Sequence, residues 1–531
     1  MSEFDDRLSN TRFSRRQLLA SSGAFAGVAA VTRIGGRSAA VALARGRAAG
    51  KTSTTLRYAE SGSFATFNPW KQQPTEDDIA NQLFSRLIYV DAGGTPVGDL
   101  AQSWKLNSRD TRMEIKLRAG LTWQDGRAVT AHDFVRMYGF LSDPKLKSDI
   151  GVQKMTGLLG PVSAVKALGN DTVLLELKEP VPYIMDILSY WYLVNFDDPA
   201  DTDFLKHLPI GTGPYKMTRF NPSSGAYLKA FDGYHGGRPA VDNLVFDTFS
   251  SGTSLISDLQ SGLVDGVLVT NYADMHSIAH SNRYYHTRAQ TGVWDLMVNV
   301  AKPPFDKVAV RQALSYSLDR AQISKAAFFG YEKPVATPFY DPAATGYVSS
   351  LVNAQAFDLA KASRLLRSAG VTSLSMTFPV PVAYPAIQTL AEIWQADLAQ
   401  IGITLEIQPV DSPLWESYIT NPSTDVLIWN NGRCALDGAV FWSTQGNFIP
   451  GGADALGYVD PAVLELIDQG VRDVDVARRR AVYQQLNRAV VESAHCISIV
   501  TYSNTWAWSS RVRGESADLI GNLQLGGVRV Q

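Results

Sequence analysis

Arginine and cysteine stand side by side in "VLIWNNGRCALDGAVFW", residues 426–442. A guanidinium next to a thiol lowers the thiol pKa and could make Cys434 a nucleophile or redox group. The same guanidinium, on Arg433, is a planar fork that suits a carboxylate, phosphate or sulfonate. Cys434 has no histidine in its local sequence, so a small buried filler is the better reading of the thiol. His276 and His280, in "MHSIAH", are four residues apart and would share one face of a helix. The glutamate of H-E-x-x-H is missing and His286 lies among tyrosines, which favours surface or partly buried histidines over a metal site. There is no G-x-S-x-G elbow, no P-loop and no G-x-G-x-x-G on a strand–helix turn. The sequence therefore calls for no catalytic residue, no metal and no cofactor. Its two cysteines, Cys434 and Cys496, are too few for a disulfide framework, although they could pair with each other.

The elements that must carry these residues are clearest from residue 358 on. Asp358 can N-cap a helix with apolar residues Leu359, Ala362, Leu365 and Leu366, closed by Gly370. Leu374, Met376 and Phe378 then mark one face of a strand. Pro385 opens a helix carrying Ile387, Leu390, Ala391 and Leu398, which Gly402 ends. "ITLEIQPV" alternates as a strand, a short helix follows near 413–418, and "DVLIWN" reads as a buried strand. Strand–helix–strand–helix–strand with short connections predicts a parallel sheet covered by helices. Ligands of such sheets sit beyond the carboxyl ends of the strands, where "NNGRCALDG" falls. Earlier in the chain, Met113–Leu117 and "DTVLLELKEPVP" alternate as half-buried strands. Several of the eleven tryptophans, among them Trp191, Trp294, Trp429, Trp442, Trp506 and Trp508, stand in the second half or near strand ends, as in a pocket for an organic ligand.

A chain of 531 residues exceeds one hydrophobic core and predicts two or three domains. Its net charge of −2 gives no electrostatic case for a nucleic-acid or anionic-membrane partner. At the N-terminus, Ser14-Arg15-Arg16-Gln17-Leu18-Leu19 looks like a twin-arginine export signal. A weakly apolar stretch follows from Leu18 to Val31, too short to span a bilayer, then Arg33, Arg37 and a cleavage site at Ala42-x-Ala44. Residues 1–44 are therefore expected to be a signal peptide, leaving a mildly acidic, exported, soluble remainder.

An ordered series of motifs runs through that remainder: "LRYAESGSFATFNPW", "LFSRLIYVDAGGTPVGDLAQSWKL", "LRAGLTWQDGRAVTAHDFV", "IGTGPYKM" and "VNVAKPPFDKVAVRQALSYSLDR". In order and spacing they resemble extracellular solute-binding protein family 5, which serves peptide, opine and nickel ABC importers. The resemblance implies an α/β fold of the type II periplasmic binding protein kind, two hinged lobes plus an extra α+β domain. Domain I would be discontinuous (45–83, 206–288 and 501–531), domain II would be 84–205, and domain III would be 289–500. The ligand would lie between domains I and III and be buried by hinge closure.

The match breaks in the loop after "DVLIWN". Peptide-binding relatives place an aspartate there for the peptide ammonium, and a branch of the family reads Gly-Arg-x-Asp-Pro-Asp-Gly. This chain reads Gly432-Arg433-Cys434-Ala435-Leu436-Asp437-Gly438, keeping the arginine and losing the first acid. Arg433 then either anchors an anionic or strongly hydrogen-bonding ligand or pairs with Asp437 and shapes the loop. The expected ligand wall is Arg433, Gly432, Asn431, Trp429 and Trp294, with Tyr384 beside it and Phe64 and Thr66 facing from domain I.

Three functional classes follow. The first is the periplasmic binding component of an ABC importer: a monomer that captures a small molecule or peptide, delivers it to permease subunits and catalyses nothing. It would meet the twin-arginine translocase during export. The second is a twin-arginine-exported, cofactor-dependent periplasmic enzyme, for which no fingerprint is present. The third, a soluble sensor that presents ligand to a receptor, shares the fold of the first.

Overall fold

The computed structural model describes residues 53–61, 64, 66–71, 74–141, 143–146, 149–195, 201–221, 225–249, 255–420, 423–431, 437 and 460–531. The expected export signal, 1–44, lies outside them. From Asp358 onward local chemistry and structure agree closely. The Asp358 carboxylate accepts the Lys361 N–H at 2.7 Å and caps the helix Leu359–Ser368, which buries Ala362 and Leu366. Gly370 ends it at φ +73°, a conformation open to glycine at little cost. Pro385 sits in the first turn of the helix Pro385–Ala399, whose Ile387, Leu390, Ala391, Trp394 and Leu398 are buried. The strands on either side, Leu374–Pro381 and Ile403–Val410, pair in parallel from Leu374↔Ile403 to Pro381↔Val410.

The third strand, Val426–Asn431, departs from the expected continuous parallel sheet. Its ladder runs antiparallel to the long strand Tyr284–Val298, from Val293↔Asn431 to Val298↔Val426. Towards the parallel pair it offers a side chain instead. Asp425 Oδ2 accepts the Thr377 N–H at 2.9 Å, so an aspartate holds together what a ladder would otherwise join.

Tyr284–Val298 also pairs antiparallel with Cys496–Ser509, and these are the two longest strands among the described residues. They belong to an eight-stranded mixed sheet, in the order Val426–Asn431, Tyr284–Val298, Cys496–Ser509, Gly266–Leu268, Thr55–Ser61, Asn243–Phe249, Gly225–Ala230 and Tyr215–Asn221. The long pair passes between two separate apolar clusters. Trp506 and Trp508 pack with Leu56, Tyr58 and Phe67 in the first. Trp294, Leu296, Ile497 and Val500 pack with Phe378, Leu390 and Ile428 in the second. Register shifts interrupt the pair between Gln290 and Gly292 and between Trp294 and Asp295, next to the point of passage.

Residues 84–205 add an antiparallel sheet of their own, ordered Ala101–Leu106, Arg112–Leu117, Thr172–Leu177, Val162–Ala167. Arg112–Leu117 alternates strictly, with Met113, Ile115 and Leu117 buried. Its buried side chains join the first apolar cluster, as do those of the helices Pro461–Arg472 and Val476–Ser493, through Val463, Tyr483 and Leu486. No helix among the described residues is long and apolar enough to cross a membrane.

Candidate functional site

At the carboxyl end of the parallel strand pair, five aromatic side chains form a continuous arc. Tyr384 follows the strand Leu374–Pro381 and directly precedes Pro385. Trp415 stands on the helix Ser412–Thr420, which follows the strand Ile403–Val410. Trp294 and Trp429 come from the long strand and its antiparallel neighbour, and Tyr502 from Cys496–Ser509. Ring centroids are 5.4 Å apart for Tyr502–Trp294, 5.3 Å for Trp294–Tyr384, 5.9 Å for Tyr384–Trp415 and 4.3 Å for Trp415–Trp429. The first two contacts are edge-on, the electrostatically preferred arrangement, while the two tryptophans at the far end lie at 33° to each other. Trp294 and Trp415 are buried, and Tyr384, Trp429 and Tyr502 are half-buried. The arc is therefore anchored from behind and open on three of its members.

Polar groups fix that anchoring. Trp415 Nε1 donates to the Ile428 carbonyl at 3.0 Å, which sets the indole against the strand that carries Trp429. Tyr502 donates its hydroxyl to Asn504 Oδ1 at 2.9 Å. Burial, and the neighbouring Tyr384 and Glu332, push its phenol well above the ordinary value, so it remains a neutral donor. Asn431 is fully buried, and its Nδ2 donates to Asp295 Oδ2 at 2.6 Å. Asp295 is buried as well, and desolvation raises its carboxyl to about 6 against hydrogen bonds from Ser498, Asn431 and Cys496. The last residue of the strand Val426–Asn431 is thus held by a buried carboxylate.

The sequence-expected residues fall into three groups. Trp294, Trp429 and Tyr384 come together in the arc, with Asn431 under it. Phe64 and Thr66 are buried in or beside the first apolar cluster, Phe64 against Phe67 at 5.7 Å and Phe220 at 6.3 Å. There Thr66 Oγ1 accepts the Asn68 N–H and Asn68 Oδ1 the Trp70 N–H, two local turns that coil "TFNPW". Gly432, Arg433, Cys434 and Trp442 lie outside the described residues. Asp437, the acid that the sequence offers Arg433, accepts from Arg479 Nη2 at 2.7 Å. Sequence reasoning missed Trp415 and Tyr502. The available signals were the position of Trp415 just past a parallel strand and that of Tyr502 opposite Gly292, beside Trp294.

His276 and His280 are exposed, and the His276 ring stacks on Phe329 at 4.9 Å. Among the described residues no group of three or more His, Cys, Asp or Glu side chains is arranged to hold a metal ion. Cys496 is a free, buried cysteine whose thiol hydrogen-bonds the Asp295 carboxyl. What the arc can do is stack against the flat or apolar part of an organic molecule.

Comparison with known proteins gives a consistent result. The sequence model described as bacterial extracellular solute-binding proteins, family 5, matches residues 95–447. The dipeptide-binding protein of Escherichia coli K12 is 29% identical over 406 residues, covering 70% of this chain and 74% of that protein. The dipeptide-binding protein of Pseudoalteromonas sp. SM9913, solved with Met-Leu, superposes with a TM-score of 0.80 at 20% identity, covering 90% of this chain and 100% of that one. AgaA of A. tumefaciens R10, solved with agropinic acid, superposes with a TM-score of 0.77 at 22% identity, covering 90% and 99%.

Proposed function

The chain belongs to the bacterial extracellular solute-binding proteins of family 5, and from that premise we infer that it captures a small organic solute for an ABC importer. The observation that carries the reading is the aromatic arc, set at the carboxyl end of the parallel strands and beside the strand pair that passes between the two apolar clusters. Two clusters joined by extended strands can rotate about those strands at little cost, and a solute that touches both sides shifts the balance to the closed form. The work is recognition and closure, and no reaction is needed. Relatives whose names specify dipeptides or agropinic acid support a solute that joins an apolar portion to charged groups.

In this reading the three-part division is 45–83 with 206–288 and 501–531, 84–205, and 289–500, with the solute between the first and third. Arg433 binds its anionic group, and Trp429 and Tyr384 its flat or apolar part. Phe64 and Thr66 shape the opposite wall from within the core. The chain is exported by the twin-arginine route, loses residues 1–44 and works as a monomer outside the cytoplasm, passing its solute to permease subunits.

Trp429→Ala removes a half-buried ring that stacks on Trp415, and about 1–3 kcal/mol of binding goes with it, a loss of about fivefold to 150-fold in affinity. Arg433→Ala weakens binding at least as much. Calorimetric titration with the solute recovered from the purified chain reads both effects. Unchanged affinity in Arg433→Ala removes the anchor role and leaves that guanidinium as a shaper of the loop.

A further inference from the structure

Three strands at one end of the eight-stranded sheet, Tyr215–Asn221, Gly225–Ala230 and Asn243–Phe249, have two unlike faces. Tyr215, Met217, Ala226, Leu228, Leu244 and Phe246 join the first apolar cluster. The residues that alternate with them, Lys216, Tyr227, Lys229, Asn243 and Val245, stand on the opposite face. A register shift between Met217 and Arg219 leaves both Thr218 and Arg219 exposed. Farther along the sheet this face is covered by the helix Leu255–Ser261, whose Leu255, Ile256 and Leu259 pack with Ala59 and Val267. Over the end strands it opens instead into a groove of about 440 Å³, whose lining includes Thr55, Thr218, Arg219, Tyr227, Asn243 and Val245.

The uncompensated charge on this face has one sign. Lys216 and Lys229 stand directly opposite each other in the ladder, a like-charge pairing that costs stability. Beside them Arg219 stands opposite Tyr227, with its guanidinium carbon 3.8 Å from the ring centroid, and the ring holds the planar fork in place. Among the described residues none of these three cations has an ion-pair partner. The carboxylates nearby in sequence are already held: Asp247 accepts from Arg57 Nη2 at 2.6 Å, and Asp242 from Arg238 and the Thr54 N–H. The segments 222–224 and 250–254, which adjoin these strands, contain no acid. Thr55 Oγ1 accepts from Asn243 Nδ2 at 3.4 Å and keeps its own proton to donate.

We propose that the groove binds a small multivalent oxyanion of the phosphate type. Lys216 and Lys229 neutralise its charge, the Arg219 fork takes two of its oxygens, and Thr55 adds a neutral donor. The anion turns the lysine pairing from a cost into a bridge. A groove of about 440 Å³ is in the size range of small-molecule sites. The rival occupant is an anionic bilayer, which a chain of net charge −2 does not favour, whereas a small ion samples only the local field. The groove shares no residue with the aromatic arc, so the proposal goes beyond solute capture and does not depend on it.

The test is residue-resolved lysine acetylation of the full chain, read by mass spectrometry, with pyrophosphate as the probe. Pyrophosphate slows acetylation of Lys216 and Lys229 by about fivefold or more. Lys105, exposed on the separate four-stranded sheet, reacts at an unchanged rate. Sodium chloride at the same ionic strength protects neither of the paired lysines. Arg219→Gln, a change at an exposed position, weakens the apparent pyrophosphate affinity about tenfold. Trp429→Ala leaves the protection as it is, which separates this site from the one proposed above. Three results overturn the proposal: Lys216 and Lys229 labelled alike with and without pyrophosphate, equal protection by chloride, or an affinity unchanged in Arg219→Gln. Protection by phosphatidylglycerol vesicles and not by pyrophosphate overturns it too, in favour of a bilayer.

Discussion

Glu332→Ala lowers the stability of the fold by about 3–5 kcal/mol, the usual cost of removing one partner from a buried ion pair. The carboxylate is fully buried and accepts from four side chains: Tyr272 hydroxyl at 2.7 Å, Arg288 Nη2 at 2.5 Å, Thr501 hydroxyl at 2.6 Å and Ser503 hydroxyl at 3.2 Å. These donors come from the helix Tyr272–Ile278 and from both long strands. Without the acid, Arg288 retains the Tyr331 carbonyl at 2.9 Å and Ser503 Oγ at 2.9 Å, but three hydroxyls and a partly buried cation face a void. Glu332→Gln keeps one carbonyl acceptor and costs less, about 1–3 kcal/mol. Urea unfolding reads both as a lower midpoint. A loss below about 1 kcal/mol in Glu332→Ala would mean that apolar packing alone holds the long strands together.

Arg320→Ala costs about 2–4 kcal/mol by a different mechanism. Arg320 donates to the carbonyls of Ser498 at 2.8 Å, Ser315 at 3.2 Å and Gln355 at 3.2 Å, and to Ser315 Oγ at 3.0 Å. All four acceptors are neutral. Burial accordingly lowers the guanidinium to about 10, yet it stays protonated at any physiological pH. The residue works as a planar set of donors that satisfies carbonyls from three segments of the second cluster. Arg320→Lys therefore fails to rescue, since a point charge with a single nitrogen cannot span acceptors that the fork reaches. A lysine variant as stable as the parent would show that charge, and not geometry, is what the site requires.

Local chemistry made much of this architecture legible. The Asp358 cap, Gly370, Pro385 and Gly402 mark helix boundaries through side-chain bonding and backbone freedom, which a single segment encodes by itself. The alternation of Met113–Leu117 marks a half-buried strand for the same reason. Where long-range pairing decides, the sequence was silent. Val426–Asn431 reads as the third strand of a parallel sheet, but its ladder goes to Tyr284–Val298, and it meets the parallel pair through apolar packing and the Asp425 carboxylate rather than through a ladder. Nothing within residues 426–431 states that choice.

The site shows the same limit. Trp294, Trp429 and Tyr384, which the sequence offers as wall residues, meet in the arc, although Trp294 stands inside the strand Tyr284–Val298 rather than at its end. Tyr502 enters the arc through its register opposite Gly292, across the break between Gln290 and Gly292. A one-residue slip would turn it to the other face. Phe64 and Thr66 belong to a family motif, and motif membership does not state which way a side chain points. Here the turns at Asn68 and Trp70 accompany an inward packing on Phe67 and Phe220.

The central claim, capture of a small organic solute beside the aromatic arc, is tested most directly by native mass spectrometry of the chain purified without refolding, with a visible absorption spectrum of the same sample. The account predicts one stoichiometric adduct of small mass that denaturation releases, reduced in Trp429→Ala, and no visible band. A bare chain that takes up none of the solutes offered, or a flavin or metal absorption band, would contradict it and turn the case towards an exported cofactor-dependent enzyme.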